Sequence, residues 1–430
     1  MDKLKTFLLR TYGCQMNELD SEYMRGQLLK RGLTETADEE KADLVIFNTC
    51  SIRDLAERKV LGKIGLMLRK QKRPFLGVAG CMPMLKKEKL LKKFPEIDFL
   101  LGPGQLEELD QIIDGLIAKK APLIHLENPK NFFSDYKSIK RSSKIKAYVP
   151  IMQGCNNFCT YCVVPYSRGR EISRPLNDIL EECRYLKDSG YQEITLLGQN
   201  VNSYQSEKKT FADLLYSLDK LNFPRIRFLT SHPKDLSLDL IEALRDLKSL
   251  CEHLHLPLQA GSNRILKLMN RSYTAEAFLE KAELLKARVP SMTFGTDLIV
   301  GFPSETPEDF EKTLDVFKQV RFANAFIYAY SPRKGTKAYL LKDDVAQTDK
   351  ARRLQQALKL FEQIQKEENP KYLQKTVEVL VERTTKEAGF LKGKTRDLKK
   401  VIFPGPENLI GSLQKIKLEK FSYQTFIGSL

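Results

Sequence analysis

Short apolar runs, each followed by a stretch of helical character, recur along most of this chain. That alternation constrains the fold more than any other feature. Leu44-Val45-Ile46-Phe47 is continuously apolar, as expected of a strand buried on both faces. Similar runs lie at Thr6 to Arg10, Phe75 to Ala79 and Phe99-Leu100-Leu101. Helices are expected from about Asp20 to Gly32, from about Asp54, and after Gly102-Pro103-Gly104. Strand alternating with helix predicts an α/β domain with a parallel, doubly wound sheet over residues 1–125. A chain of 430 residues needs two to three such units at roughly 150 residues each.

Residues 126–147 read as a linker, in which Asn131-Phe132-Phe133-Ser134-Asp135-Tyr136 leads into Lys137, Lys140, Arg141, Lys144 and Lys146. Such a mixture suits RNA contact or a solvated crossing. From 148 to 370 the alternation resumes. Candidate strands are Tyr148–Gln153, Glu193–Leu197, Ile226–Thr230, His253–Leu256, Thr293–Val300 and Asn324–Tyr330, with helices near 176–188, 210–221, 238–247, 274–287 and 307–319. Six units predict a partial (β/α)6 barrel with its functional groups on the loops after the strands. Those loops are polar or glycine-rich, fit for close backbone approach to a cofactor: Gly198-Gln199-Asn200, Ser231-His232-Pro233, Gln259-Ala260-Gly261-Ser262 and Gly301-Phe302-Pro303-Ser304-Glu305-Thr306. Pro370 ends the helical pattern. Short alternating strands near Thr376–Glu382, Val401–Phe403 and Ile416–Leu418 predict a small antiparallel β-barrel over 371–430.

Cys155, Cys159 and Cys162 lie in one loop directly after the first strand of the middle unit. Thiolates hold iron–sulfur clusters, usually one per iron, so three of them leave one iron of a 4Fe–4S cluster free to bind something else. A structural zinc site is the alternative, but it favours Cys-x2-Cys pairs and needs four ligands. Cys14, Cys50 and Cys81 each fall just after a predicted strand, on the edge of a parallel sheet where ligands bind. That shared edge favours a second three-thiolate cluster over three independent small core residues, although free cysteine is commonly buried. Cys183 and Cys251 read as packing residues. The four histidines, at 125, 232, 253 and 255, form no His-x3-His pair, which argues against a histidine metal site.

Lysine and arginine number 71 against 55 aspartates and glutamates, a formal charge of +16. That surplus points to a polyanionic partner, nucleic acid before membrane, since no apolar run approaches spanning length. Met1-Asp2-Lys3-Leu4-Lys5 has no apolar stretch of signal-peptide character, so a cytoplasmic chain with reduced, metal-binding cysteines is expected. Residues 371–430 carry 12 Lys and Arg against 6 Asp and Glu, and Lys392, Lys394 and Arg396 form a candidate phosphate-contacting cluster.

On these segments the chain resembles the radical S-adenosylmethionine methylthiotransferase family over essentially its whole length. Cys-x3-Cys-x2-Cys matches the radical cluster ligands of that family, and Cys14, Cys50 and Cys81 match those of its amino-terminal cluster. Thr230-Ser231-His232-Pro233, His255-Leu256-Pro257-Leu258-Gln259-Ala260-Gly261-Ser262 and Thr296-Asp297-Leu298-Ile299-Val300-Gly301-Phe302-Pro303 also look like family segments. Tyr12-Gly13-Cys14-Gln15-Met16-Asn17 is similar to the branch of tRNA-2-methylthio-N6-dimethylallyladenosine synthases. The end of the chain resembles a TRAM domain, an RNA-binding barrel. There are departures: Ser304 stands where relatives often have Gly, Gln199-Asn200 replaces the usual Gly-Glu, and Phe421-Ser422-Tyr423-Gln424 is not the usual terminal strand.

The resemblance implies two 4Fe–4S clusters as cofactors, with S-adenosylmethionine on the open iron of the second. Gly198, Gln199, Asn200, Ser231, Gln259 and Asp297 become candidate S-adenosylmethionine contacts. It implies methylthiolation at C2 of N6-dimethylallyladenosine 37 in tRNA, by way of a 5′-deoxyadenosyl radical, with sulfur from the amino-terminal cluster. The implied partners are tRNA, an external electron donor and a sulfur source; the chain is expected to act as a monomer, off the membrane. The alternatives are the same reaction on threonylcarbamoyl adenosine or a ribosomal protein, a radical enzyme using its first cluster only for electron transfer, and a non-catalytic iron–sulfur RNA-binding protein.

Overall fold

The structure is a computed structural model of the chain that describes residues 4–51, 54–118, 120, 122–128, 132, 135–422 and 424–430. Met1, Asp2 and Lys3 of the amino-terminal stretch, Asn131, Phe133 and Ser134 of the expected linker, and Tyr423 near the end lie outside the described residues.

The amino-terminal sheet is six-stranded and parallel throughout. Thr6–Tyr12, Leu44–Thr49 and Phe75–Gly80 are adjacent in it, with Tyr12 level with Thr49 and Thr49 level with Gly80. Leu44–Thr49 is buried at every position because helices cover both faces, which is why its sequence does not alternate. The first helix, Gln15–Lys30, begins earlier than the expected start near Asp20: Cys14 is its N-cap, and the Asn17 side chain reaches back to the Cys14 backbone.

The stretch expected as a linker is also part of the packing. Lys140 N–H donates to Glu22 O and Ser142 N–H donates to the Glu22 carboxylate, on the first helix. Arg141 and Arg174 meet on the fully buried Glu182 carboxylate, pinning this crossing to the middle unit. That unit has two three-stranded parallel sheets: Lys146–Pro150, Glu193–Leu197 and Arg225–Phe228, then His253–His255, Thr293–Val300 and Asn324–Ala329. A single bridge between Ile226 and Leu250 leads from one to the other, giving an incomplete barrel wrapped by helices.

Helix Gln347–Glu368 leads to a closed five-stranded barrel of Thr376–Thr384, Phe390–Thr395, Lys400–Pro404, Thr425–Ser429 and Leu413–Ser422. One pair in it, Lys400–Pro404 with Thr425–Ser429, is parallel, so the barrel is not wholly antiparallel. It seals the base of the half-barrel, where the strands begin. Arg225 donates to Glu378 and to Lys394 O, and Arg227 donates to Thr395 O and Arg396 O. Lys146 pairs with Glu382. No helix among the described residues is long and apolar enough to cross a membrane.

Candidate cluster site

Cys14, Cys50 and Cys81 follow three neighbouring strands at nearly the same level, and strands in a sheet lie about 4.8 Å apart. Their side chains therefore share one edge. Cys50 hydrogen-bonds the Cys14 sulfur, and with help from the Arg168 charge and the helix-start amides this holds the Cys14 thiol down at about 5 despite burial. Burial pushes the Cys81 thiol up, opposed by Arg168 and by a hydrogen bond with Ser167. Gly80, which precedes Cys81, has φ +90°, and a Cβ there would lie 2.4 Å from Thr49 O, so the turn into the cysteine requires glycine. Beneath the edge, Asn17 donates to Asn48 Oδ1 at 3.1 Å, while the Asn48 amide donates to Asn17 O and Ser21 Oγ.

Cys155, Cys159 and Cys162 sit on an irregular loop that is held from several sides. Gly154 has φ +77° and a Cβ there would lie 2.0 Å from Arg170 O. Its N–H donates to Gln199 Oε1, and Cys155 N–H donates to Gly169 O. Asn270 donates to the Asn157 and Phe158 carbonyls, and Thr160 N–H donates to Met269 O. Burial raises the Cys155 thiol and pushes Cys162 up to about 12, so neither is an anion until a metal draws off its proton.

The two cysteine sets, far apart in sequence, are linked by one short segment. The short helix Val164–Ser167 starts two residues after Cys162 and packs on the helix that starts at Cys81. It carries Ser167 to Cys81 and Arg168 to a buried ion pair with Asp20 at 2.7 Å, in the second turn of the helix that Cys14 caps. A cavity of about 30 Å³ opens beside Asp20, lined by Met16, Pro103, Leu106, Phe132, Pro150 and Gln153 among others.

Among the described residues, no group of three or more His, Cys, Asp or Glu side chains is placed to hold a single metal ion. An iron–sulfur cluster presents a separate iron to each thiolate, so its ligands need not converge on one point. The donor chemistry fits such a group, and polar atoms with no protein partner lie where its companions would be. Among the described residues, Ser51 Oγ, beside Cys50, is buried with no hydrogen-bond partner; so are Asn200 Oδ1 and Ser231 Oγ on the rim of the half-barrel.

The remaining candidate contacts divide by sheet. Val201 N–H donates to Thr230 O, and Asn202 and the His232 backbone exchange two hydrogen bonds, knitting Gly198–Asn200 to Ser231. Gln259 N–H donates to Asp297 O on the second sheet, where Gln259 has φ +65°. The Gln199 oxygen is taken by the cysteine loop, and an Asp297 oxygen by His255 Nε2 at 2.8 Å. At the far end, Lys392 and Lys394 are half-buried. The Arg396 guanidinium is committed to Glu252 and to the Pro224, Lys248 and Leu250 carbonyls, so it works as a fastening of the carboxy-terminal barrel. Arg168, Asp20, Ser167 and Arg271 had not been singled out from the sequence; nothing in their local pattern marks them, because their partners lie on other elements.

Comparison with known proteins agrees with this geometry. The Radical SAM superfamily matches residues 149–317, and Uncharacterized protein family UPF0004 matches residues 6–102. A tRNA-2-methylthio-N(6)-dimethylallyladenosine synthase of Protochlamydia amoebophila is 53% identical, covering 100% of this chain and 97% of its own. One from Carboxydothermus hydrogenoformans is 45% identical over 96% of each. Among solved structures, the radical S-adenosylmethionine methyltransferase TsrM of Kitasatospora setae, with cobalamin and a [4Fe-4S] cluster bound, aligns with a TM-score of 0.58 at 14% identity. It covers 79% of this chain and 77% of its own. With full-length relatives so similar, and the cysteine loop where a radical enzyme needs it, the chain belongs to the tRNA-2-methylthio-N(6)-dimethylallyladenosine synthase family of radical S-adenosylmethionine enzymes.

Proposed function

We propose that this enzyme adds a methylthio group to C2 of N6-dimethylallyladenosine at position 37 of tRNA, using two 4Fe–4S clusters and S-adenosylmethionine. Cys155, Cys159 and Cys162 hold the radical cluster; Cys14, Cys50 and Cys81 hold the one that delivers sulfur. The observation that carries this reading is the junction between the sets, where the segment leaving Cys162 supplies Ser167 to Cys81 and Arg168 to Asp20. When bound, the radical cluster supplies the single electron that cleaves S-adenosylmethionine, a route suited to an adenine C2–H that ordinary bases do not deprotonate.

The chain's own residues bind and orient. Asn200 and Ser231 offer their unpartnered oxygens to S-adenosylmethionine, and Gln199 fixes the turn that aims Cys155. Gly198, Gln259 and Asp297 complete the rim. The buried Arg168–Asp20 pair keeps the two sites in register. The target base enters unstacked from an RNA loop, at a cost of about a few kcal/mol. The carboxy-terminal barrel acts as a TRAM-like RNA grip through Lys392 and Lys394, with Arg396 holding it in place. The enzyme works in the cytoplasm as a monomer, with electrons and replacement sulfur supplied from outside.

Mass spectrometry of tRNA nucleosides from a deletion strain tests the assignment. N6-dimethylallyladenosine should accumulate and its methylthio form should vanish, with threonylcarbamoyl adenosine derivatives unchanged. Loss of a methylthio group from the latter alone moves the enzyme to the neighbouring substrate.

A further inference from the structure

Six arginines are buried in the described residues. Five face a carboxylate: Arg168 with Asp20, Arg174 with Glu182, Arg225 with Glu378, Arg227 with Glu193 and Arg353 with Glu305. The sixth, Arg271, has no carboxylate within ion-pair distance among the described residues. Its Nη1 donates toward Cys159 Sγ at 3.6 Å, its Nε to the Tyr273 hydroxyl at 3.0 Å and its Nη2 to Pro257 O at 3.0 Å. The guanidinium lies 5.0 Å from the centroid of the Tyr273 ring. Arg271 is 9% exposed, so water does little to solvate it.

The segment that carries it is the one that grips the cysteine loop. Met269 O, Leu268 O and the Asn270 side chain all bond residues 157–160, and Arg271 N–H closes back on Leu266 O. The cation is thus held rigidly against Cys159. A buried, unpaired charge is strongly destabilising unless an anion arrives to meet it.

We propose that Arg271 is a positioning residue that sets the reduction potential of the radical cluster, its charge and N–H stabilising the more negative, reduced form through Cys159. This rests on Cys155, Cys159 and Cys162 being the ligands. Cluster potentials respond to net charge and to hydrogen bonds on the sulfurs. A carboxylate beside Arg271 would cancel the first of these, and the fold keeps one away.

The test uses the full chain, reconstituted anaerobically with iron and sulfide. The electron-paramagnetic-resonance signal that changes on adding S-adenosylmethionine is followed in a redox titration. Arg271→Met and Arg271→Gln should keep their iron, but at a fixed potential their ratio of reduced to oxidised cluster should fall about tenfold, a midpoint about 59 mV lower for one electron. Arg271→Lys, which keeps the charge, should stay near the parent. Without iron, Arg271→Met should melt higher than the parent, and reconstitution should raise its melting temperature less.

An unchanged midpoint in Arg271→Met and Arg271→Gln with iron intact overturns the proposal. So does loss of iron from both, which marks a structural role, or an Arg271→Lys midpoint as low as that of Arg271→Met. A Cys159→Ala chain that keeps the same signal overturns the ligand assignment beneath it, and not the charge argument.

Discussion

Replacing Arg168 by Met should be among the most damaging single changes outside the cysteines. Arg168 and Asp20 are each 4% exposed and 2.7 Å apart, so neither is appreciably screened by solvent. At an effective dielectric of about 20 the Coulomb attraction over that distance is about 6 kcal/mol, most of it spent on desolvating both ions. Removing one partner leaves the other buried and uncompensated, which costs about 3–5 kcal/mol. The cost should depend on pH. Burial already raises the Asp20 carboxyl above its usual value, with Arg168 opposing, and without Arg168 it rises further. A carboxyl whose folded pKa lies above its unfolded one binds an extra proton on folding, so stability falls as pH rises through that window. The deficit of Arg168→Met should thus be largest near pH 8 and shrink as the pH drops toward 5. Urea titrations of the iron-free chain, followed by far-ultraviolet circular dichroism, measure it. Arg168→Met combined with Asp20→Asn should recover more than half the loss at pH 8. A loss under about 1 kcal/mol, or a double variant no better than the single, would refute the view that this pair clamps the two units together.

Cys14, Cys50 and Cys81 all changed to Ala should leave one cluster per chain and intact reductive cleavage of S-adenosylmethionine, but no methylthiolated tRNA; iron content beside 5′-deoxyadenosine yield decides it. Changing Cys155, Cys159 and Cys162 should abolish cleavage while the other cluster remains. Lys392→Ala should reduce the log–log salt slope of tRNA binding by about 0.7–0.9 per lost phosphate contact. Arg396→Ala should leave the slope nearly unchanged and instead lower the melting temperature, since its guanidinium serves Glu252 and three carbonyls. Ser304→Gly should stabilise by up to about 1 kcal/mol, because Ser304 has φ +68° and its backbone bond to Asp344 needs no side chain.

The strands Phe99–Leu101, Glu193–Leu197 and Thr293–Val300 and the helix Leu176–Asp188 match their sequence-derived bounds to the residue. Each has a strong apolar pattern and clear neighbours. The first helix starts five residues before its expected position because its cap is a cysteine supported by Asn17, outside the usual Ser, Thr, Asp and Asn repertoire. Phe390–Thr395 and Thr425–Ser429 had no counterpart among the expected strands. The inward face of the first is Leu391, Gly393 and Thr395, too weakly apolar to stand out between lysines. Those same lysines were legible as charge, but not their surroundings: Arg225, Arg227 and Glu252, which receive this strand and its turn, lie some 150 residues earlier. The placement of the six cysteines, three after neighbouring strands and three on one loop, was legible because strand ends leave little choice of position. Arg168 and Arg271 were not, since the groups that meet them, Asp20 for the first and Cys159 and Pro257 O for the second, lie elsewhere in the sequence.

The carboxy-terminal barrel closes the half-barrel at the end where its strands start, whereas the cysteine loop stands where they finish. The longest of those strands, Thr293–Val300, has eight residues, or about 26 Å at ~3.3 Å each, and about 20 Å of height at the usual barrel tilt. If the carboxy-terminal barrel grips RNA as proposed, that RNA would have to cover this height along the outside before one of its bases reached the cysteines. On that reading the height of the half-barrel would serve as a caliper, setting the distance between the gripped part of the RNA and the base that reacts.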